Sequence, residues 1–285
     1  MRSSVPHTRR LSKTLLFPLL VVILPFWIAD AWSSNSNSAS KLMEAIELGE
    51  EEHVRSMLEQ LSPTSIEALL KSHVNGKNAL HWAVLHNHCN IANIIVDHGA
   101  KVNAKDEEGY TALHYAVQGR EECTRVLLAH HASPDVLAEG LRRLHDLTAV
   151  HMGAMNGTLR ILEMLREAKA DLHAVDSAGF SAIFYASMNR EHFHNIIEFL
   201  VFHGVDVNRP CSNGFTALHF ALSRCSPKVI HVLLSVGADV NAGKEDEDSA
   251  LHLALSRREY ALEYARLLIA AGANVSKENH FRLYV

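Results

Sequence analysis

An all-α solenoid of helix–turn–helix units is the fold class this sequence predicts, and three observations predict it. One motif recurs six times: Asn78-Ala-Leu-His81, Thr111-Ala-Leu-His114, Thr148-Ala-Val-His151, Ser181-Ala-Ile-Phe184, Thr216-Ala-Leu-His219 and Ser249-Ala-Leu-His252. Their fourth residues lie 33, 37, 33, 35 and 33 positions apart, and each copy opens with a residue type that caps helix N-termini. Apolar residues after each motif return at helical spacing. The exits also recur, as Gly99-Ala-Lys-Val-Asn103, Gly204-Val-Asp-Val-Asn208, Gly237-Ala-Asp-Val-Asn241 and Gly272-Ala-Asn-Val-Ser276. Glycine is expected just past a helix, where left-handed φ costs it nothing.

The stretch Thr216 to Asn241 shows the unit most completely. Thr216 caps a short helix with Leu218, Ala221 and Leu222 on one face. Ser226-Pro227 restarts the chain, Ser as a second N-cap and Pro at N1, where no donor is missed. Val229, Ile230, Leu233 and Leu234 follow at helical spacing until Gly237 ends the helix. A period near 33 with this pattern resembles the ankyrin repeat family, over roughly residues 74 to 277. The resemblance implies β-hairpin fingers between units. It also implies structural roles for His81, His114, His151, His219 and His252, whose imidazoles would bond backbone between adjacent repeats. Phe184 departs from that pattern, so the fourth repeat must satisfy those groups differently. A second departure is uniform: the family usually places Pro after the capping residue, and here it is always Ala, a good helix former.

In chain order, residues 1–31 stand outside the array. Arg2, Arg9, Arg10 and Lys13 precede an apolar run from Leu15 to Ala29, then the small-x-small site Ala29-Asp30-Ala31. This describes a signal peptide or an uncleaved signal-anchor. Cleavage after Ala31 leaves 23 basic against 31 acidic residues, a net −8. Residues 32–40 form a Ser/Asn-rich linker, and 41–73 form N-terminal capping helices whose glutamate-rich side suits a terminal repeat facing water. Six repeats occupy 74–277. The widest gap, Val136 to His145, allows a longer finger carrying Arg142 and Arg143. Residues 278–285 make a short C-terminal cap; the ending Leu283-Tyr284-Val285 also fits the apolar-x-apolar tails that PDZ domains bind by strand addition.

The chain carries a formal charge of −5 over 285 residues, with no basic block that would mark nucleic-acid binding. Cys89, Cys123, Cys211 and Cys225 have no C-x-x-C spacing, so no disulfide framework is expected, and Cys123 reads as a core residue. Twenty histidines invite a metal, but His86-Asn-His88-Cys89 and His192-x-His194 match no zinc signature. No nucleophile, P-loop or dinucleotide motif occurs, so neither catalysis nor a cofactor is expected.

The resemblance leaves the surface as the functional element. Fingers and first-helix ends would line a concave groove, with Tyr110, Phe180 and Phe215 in one column among Lys77, Leu147 and Asp248. Leu85, His86, Gln118, Met155, Met188, Arg224 and Arg257 come from the helix ends. Aromatic residues with Met and Arg suit an interface core; the rings equally suit packing on the next finger. Asn156-Gly-Thr158 and Asn274-Val-Ser276 are N-glycosylation candidates if the chain enters the secretory pathway. The expectation is a monomeric, non-catalytic module binding a protein partner, secreted or lumenal. The alternative is a scaffold or adaptor, membrane-tethered if the N-terminal segment is uncleaved, or cytosolic.

Overall fold

The computed structural model describes residues 38–139, 146–224, 226–243, 249–256 and 260–276. The expected signal segment, the C-terminal cap, Cys225, Asp248, Arg142, Arg143 and Arg257 lie outside them. The first three helices of the described residues are α1 over residues 38–48, α2 (Glu51–Glu59) and α3 (Pro63–Lys71). Gly49, at φ +75°, makes the break between the first two. Residues 38–40, assigned to the linker from sequence, are helical instead, because Ala39 is buried against the core.

Six helix pairs follow. Their first helices are α4 (Ala79–Leu85), α6 (Ala112–Ala116), α8 (Ala149–Asn156), α10 (Ala182–Ala186), α12 (Ala217–Ser223) and α14 (Ala250–Leu255). Their second helices are α5 (Cys89–Asp97), α7 (Glu121–Ala129), α9 (Leu159–Glu167), α11 (Phe193–Phe202), α13 (Pro227–Ser235) and α15 (Ala261–Ala270). First helices pack on first helices and second on second, α8 on α10 and α5 on α7 among them. The result is two helical layers with one continuous apolar core between them. Such a core has no centre; each repeat is stabilised by its neighbours. The residues chosen from helical spacing fill it, with Leu218, Ala221, Leu222, Val229, Ile230 and Leu233 all buried.

The fingers are hairpins closed by single antiparallel bridges, Val74 with Lys77, Lys105 with Thr111, Ala138 with Leu147 and Val175 with Ser181. Among the described residues they contain no extended strand. The recurrent exit asparagines tie one repeat to the next. Oδ1 of Asn103 accepts from Ser133 N–H at 2.8 Å, that of Asn208 from Asp239 at 2.7 Å, and that of Asn241 from Asn274 at 2.8 Å. Repeat two has no exit glycine, and there His131 takes φ +61° itself.

Two further expectations need correction. Cys89 and Cys123 are joined in a disulfide, so Cys123 is buried but not simply a core thiol. One repeat period, 34 residues, separates the two, which brings the start of α5 beside the first turn of α7. No rule based on local cysteine spacing detects a pairing set by the repeat. Cys211 is a buried free thiol. Ser226 does occupy the N-cap of α13 before Pro227, but its side chain makes no capping hydrogen bond. Its backbone at ψ 85° departs from the extended conformation of the capping threonines.

Candidate functional site

The site is built on the capping motif, because that motif fixes where each finger meets its first helix. In five repeats the histidine at the fourth position turns back on the cap. Nδ1 accepts the backbone N–H of Asn78 at 3.3 Å, Thr111 at 3.0 Å, Thr148 at 3.1 Å, Thr216 at 3.2 Å and Ser249 at 3.2 Å. With Nδ1 accepting, Nε2 carries the proton. Nε2 of His81 donates to Tyr110 O at 3.1 Å and that of His151 to Ala174 O at 3.0 Å, each reaching the next finger. Burial, which disfavours the cation, pushes His81 and His114 down to about 4 and also lowers His151.

A second device holds two of the fingers. Oδ1 of Asp106 accepts the N–H groups of Glu108 and Tyr110, while Oδ2 accepts the Tyr115 hydroxyl at 2.6 Å. Asp176 repeats this with Ala178, Phe180 and Tyr185. Burial opposes ionisation of Asp106, but hydrogen bonds from Tyr115 and Tyr110 outweigh it and keep its carboxyl below the ordinary value. Lys77 Nζ lies 3.3 Å from Asp106 and over the Tyr115 ring. The negative charge of the finger tip Asp106-Glu107-Glu108 is therefore partly neutralised from within.

On this frame the aromatic column takes a regular form. Each ring packs on the residue four positions on in its own repeat. Tyr110 meets His114 edge-on at 5.9 Å, Phe215 meets His219 edge-on at 5.3 Å, and Phe180 stacks on Phe184 at 3.8 Å. All three column rings are half-exposed, so one side of each supports the fold and the other meets solvent. Leu147, at the same position in repeat three, is buried, and it separates Tyr110 from the other two.

Repeat four extends its column sideways through phenylalanine, where repeats one and three reach Tyr115 and Tyr185 of the next repeat from His81 and His151. Phe184 lacks the nitrogens of the repeated histidine, and Ser181 makes no side-chain cap bond. The Phe184 ring instead meets Phe220 of the next first helix at 4.5 Å. The Arg224 guanidinium then lies 5.3 Å from the centre of the Phe220 ring, a cation–π contact. Phe180, Phe184, Phe220 and Arg224 thus form one strip across two repeats. Met155 and Met188 are half-exposed at first-helix ends, and Leu85 likewise, with its carbonyl taken by Arg120 at 3.1 Å. Sequence reasoning missed Phe220, because it lies off the motif; the loss of histidine at Phe184 was the available signal.

Asn156 ends α8 with its side chain exposed. Asn274 is exposed too, but its Oδ1 accepts from Ser276 N–H at 2.9 Å. Among the described residues no group of three or more His, Cys, Asp and Glu could hold a metal.

Comparison with known proteins places this geometry. A family profile described as ankyrin repeats (3 copies) matches residues 20–106, 42–139, 150–244 and 210–279. The mouse B-cell lymphoma 3 protein homolog is 34% identical over 147 residues, 51% of this chain and 32% of that protein. Its human counterpart is 33% identical over the same shares. The chain thus spans about a third of the length of these relatives. Among solved structures, the ankyrin repeat domain of Bcl-3, titled a unique member of the IkappaB protein family, matches with TM-score 0.62 and 28% identity. That match covers 79% of this chain and 97% of that domain. The human ASB11 ankyrin repeat domain matches in fold, with TM-score 0.67 and 20% identity over 82% of this chain and 98% of its own. The chain is a repeat module for protein–protein interaction and belongs to the ankyrin repeat family.

Proposed function

We propose that this module recognises its partner through the concave face framed by the fingers and first helices, without catalysis, and that it does so in the secretory pathway or outside the cell. The observation that carries the first part is the strip Phe180–Phe184–Phe220–Arg224. Half-exposed Phe180 and Phe220, joined through the buried Phe184 ring, with an arginine laid on Phe220, have the composition of binding hot spots. Met155 and Leu85 would extend the contact toward the first repeat.

Two observations support the location. A disulfide such as Cys89–Cys123 persists in oxidising compartments and is rare in the cytosol of mesophiles. The basic and apolar pattern before residue 31 has the order of a secretion signal. Among the described residues no helix is long and apolar enough to cross a membrane, so a tethered form would have to use that N-terminal segment.

The test replaces Leu85 and Met155 by Glu and, separately, Arg125 on the outer face. Proteins stably associated with the full chain in its own cells are then compared across variants. Loss of the same partner from the Leu85→Glu/Met155→Glu chain alone, with helical signal unchanged, is expected. Loss from Arg125→Glu instead would sink the concave reading. Location is read from the mass of the expressed product in medium and cells, before and after glycosidase. A glycosylated product in the medium is expected; an unmodified cytosolic product would return the chain to the adaptor reading.

A further inference from the structure

We propose that the interhelix turns of repeats four and five form a specific cleft for an acidic peptide segment with an apolar anchor. This rests on the concave face being the partner face, and it names the chemistry of the partner there. The cleft has a volume of about 610 Å³. Arg190, Arg224 and Lys228 make its rim, Met188, Phe193 and Phe220 its apolar wall, and no carboxylate lines it.

Arg166, Arg209 and Arg266 are also exposed without an ion pair among the described residues, so what sets Arg190, Arg224 and Lys228 apart is that they share one cleft. Arg55, Arg125 and Arg160 pair with glutamates on their own helices. Lys77 and Lys105 pair with finger carboxylates. Arg120 donates to the carbonyls of Tyr115 at 2.8 Å and Leu85 at 3.1 Å. Arg190, Arg224 and Lys228 are exposed and, among the described residues, have no ion-pair partner. Three like charges around one cleft, in a chain whose net charge is −5, repel one another until an anion enters.

The rim is also held in place. Asn189, 6% exposed, donates to the carbonyls of Ala154 at 3.2 Å and Gly157 at 3.0 Å. Its Oδ1 accepts from the N–H groups of Glu191 at 3.1 Å and His192 at 2.8 Å. The turn carrying Arg190 is thereby fixed before any ligand arrives, which lowers the entropy cost of binding. Arg224 is likewise laid on Phe220.

The wall decides between anions. A free phosphate or a sulfated sugar would satisfy the cations but leave Phe193 and Phe220 in water. A peptide with glutamates on both sides of a leucine or phenylalanine satisfies both, because the apolar side chain covers the rings while the carboxylates reach the guanidinium groups.

The test uses the full chain and a fluorescein-labelled peptide of glutamates flanking Leu-Phe, followed by anisotropy. Binding that weakens with salt is expected, and roughly tenfold or greater weakening in Arg190→Glu/Arg224→Glu/Lys228→Glu. The Lys228→Glu single variant, on an exposed side chain, should weaken it several-fold and guards against misfolding of the triple. Arg190→Lys should retain binding, and replacing Leu-Phe in the peptide by Ser-Ser should lose most of it. Unchanged affinity in the charge-reversed chains overturns the proposal, as does tighter binding of a heparin fragment than of the peptide. The Leu85→Glu/Met155→Glu chain should still bind the peptide, so failure of the wider concave reading and failure of the cleft are separable.

Discussion

At the residue scale the buried histidines couple stability to pH. His81 and His114 are held down near 4 by burial, against about 6.5 for an unfolded chain. Between those values the unfolded state binds more protons than the native one. Stability is therefore full above about pH 6.5 and falls as pH drops toward 4, by at most roughly 3 kcal/mol for each such histidine. Urea midpoints at pH 7 and pH 4.5 should show this fall, and His81→Gln should flatten the slope while lowering stability at pH 7. A midpoint that rises on acidification would contradict the assignment. The disulfide acts at the same scale. Cys123→Ser should lower stability by about 3–4 kcal/mol, as expected for removing a cross-link that closes a loop of this length. Reductant should then affect the wild type but not the variant in thermal melts.

At the element scale the connections set tolerance to change. Gly157 joins α8 to α9 at φ −92°, a conformation open to any residue, yet a Cβ there would lie 2.5 Å from Gly153 O and 2.6 Å from Val117 O. Both obstacles are backbone, so Gly157→Ala must displace α6 or α8. Gly99 has φ +92° and nothing within 4 Å of a Cβ, so Gly99→Ala meets only the left-handed penalty. Thermal denaturation should separate them, with about 1–2 kcal/mol lost at Gly99 and about 3 kcal/mol or more at Gly157. Helix positions themselves were legible from sequence, because capping residues, apolar spacing and exit glycines point to the same boundaries. What escaped was lateral. Ser226 has the right residue type but the wrong ψ for a cap, and residues 38–40 are helical within a stretch of polar composition because Ala39 finds the core.

At the scale of the whole molecule, a repeat period makes the fold legible and hides the site. It predicts which positions of successive repeats become neighbours, as His81 and the Tyr110 carbonyl do. Chemistry arising where unlike positions meet follows from no single repeat. Cys89 joined to Cys123, Phe184 against Phe220, and Arg190 and Lys228 lining one cleft are all of this kind. The column of Tyr110, Phe180 and Phe215 was visible from the motif, but its extension through Phe220 to Arg224 was not. Aromatic and cationic side chains thus meet across repeats four and five at Phe220 and Arg224, as they do between repeats one and two at Lys77 and Tyr115.

The most direct test of that account places a photo-crosslinking amino acid at single positions of the full chain in its own cells. Phe215 and Met155 represent the concave face, and Arg125 and Arg166 the exposed outer side. The account predicts one discrete cross-linked partner from Phe215 and Met155, with none from Arg125 or Arg166. The same product from the outer positions, with the concave ones silent, would contradict it.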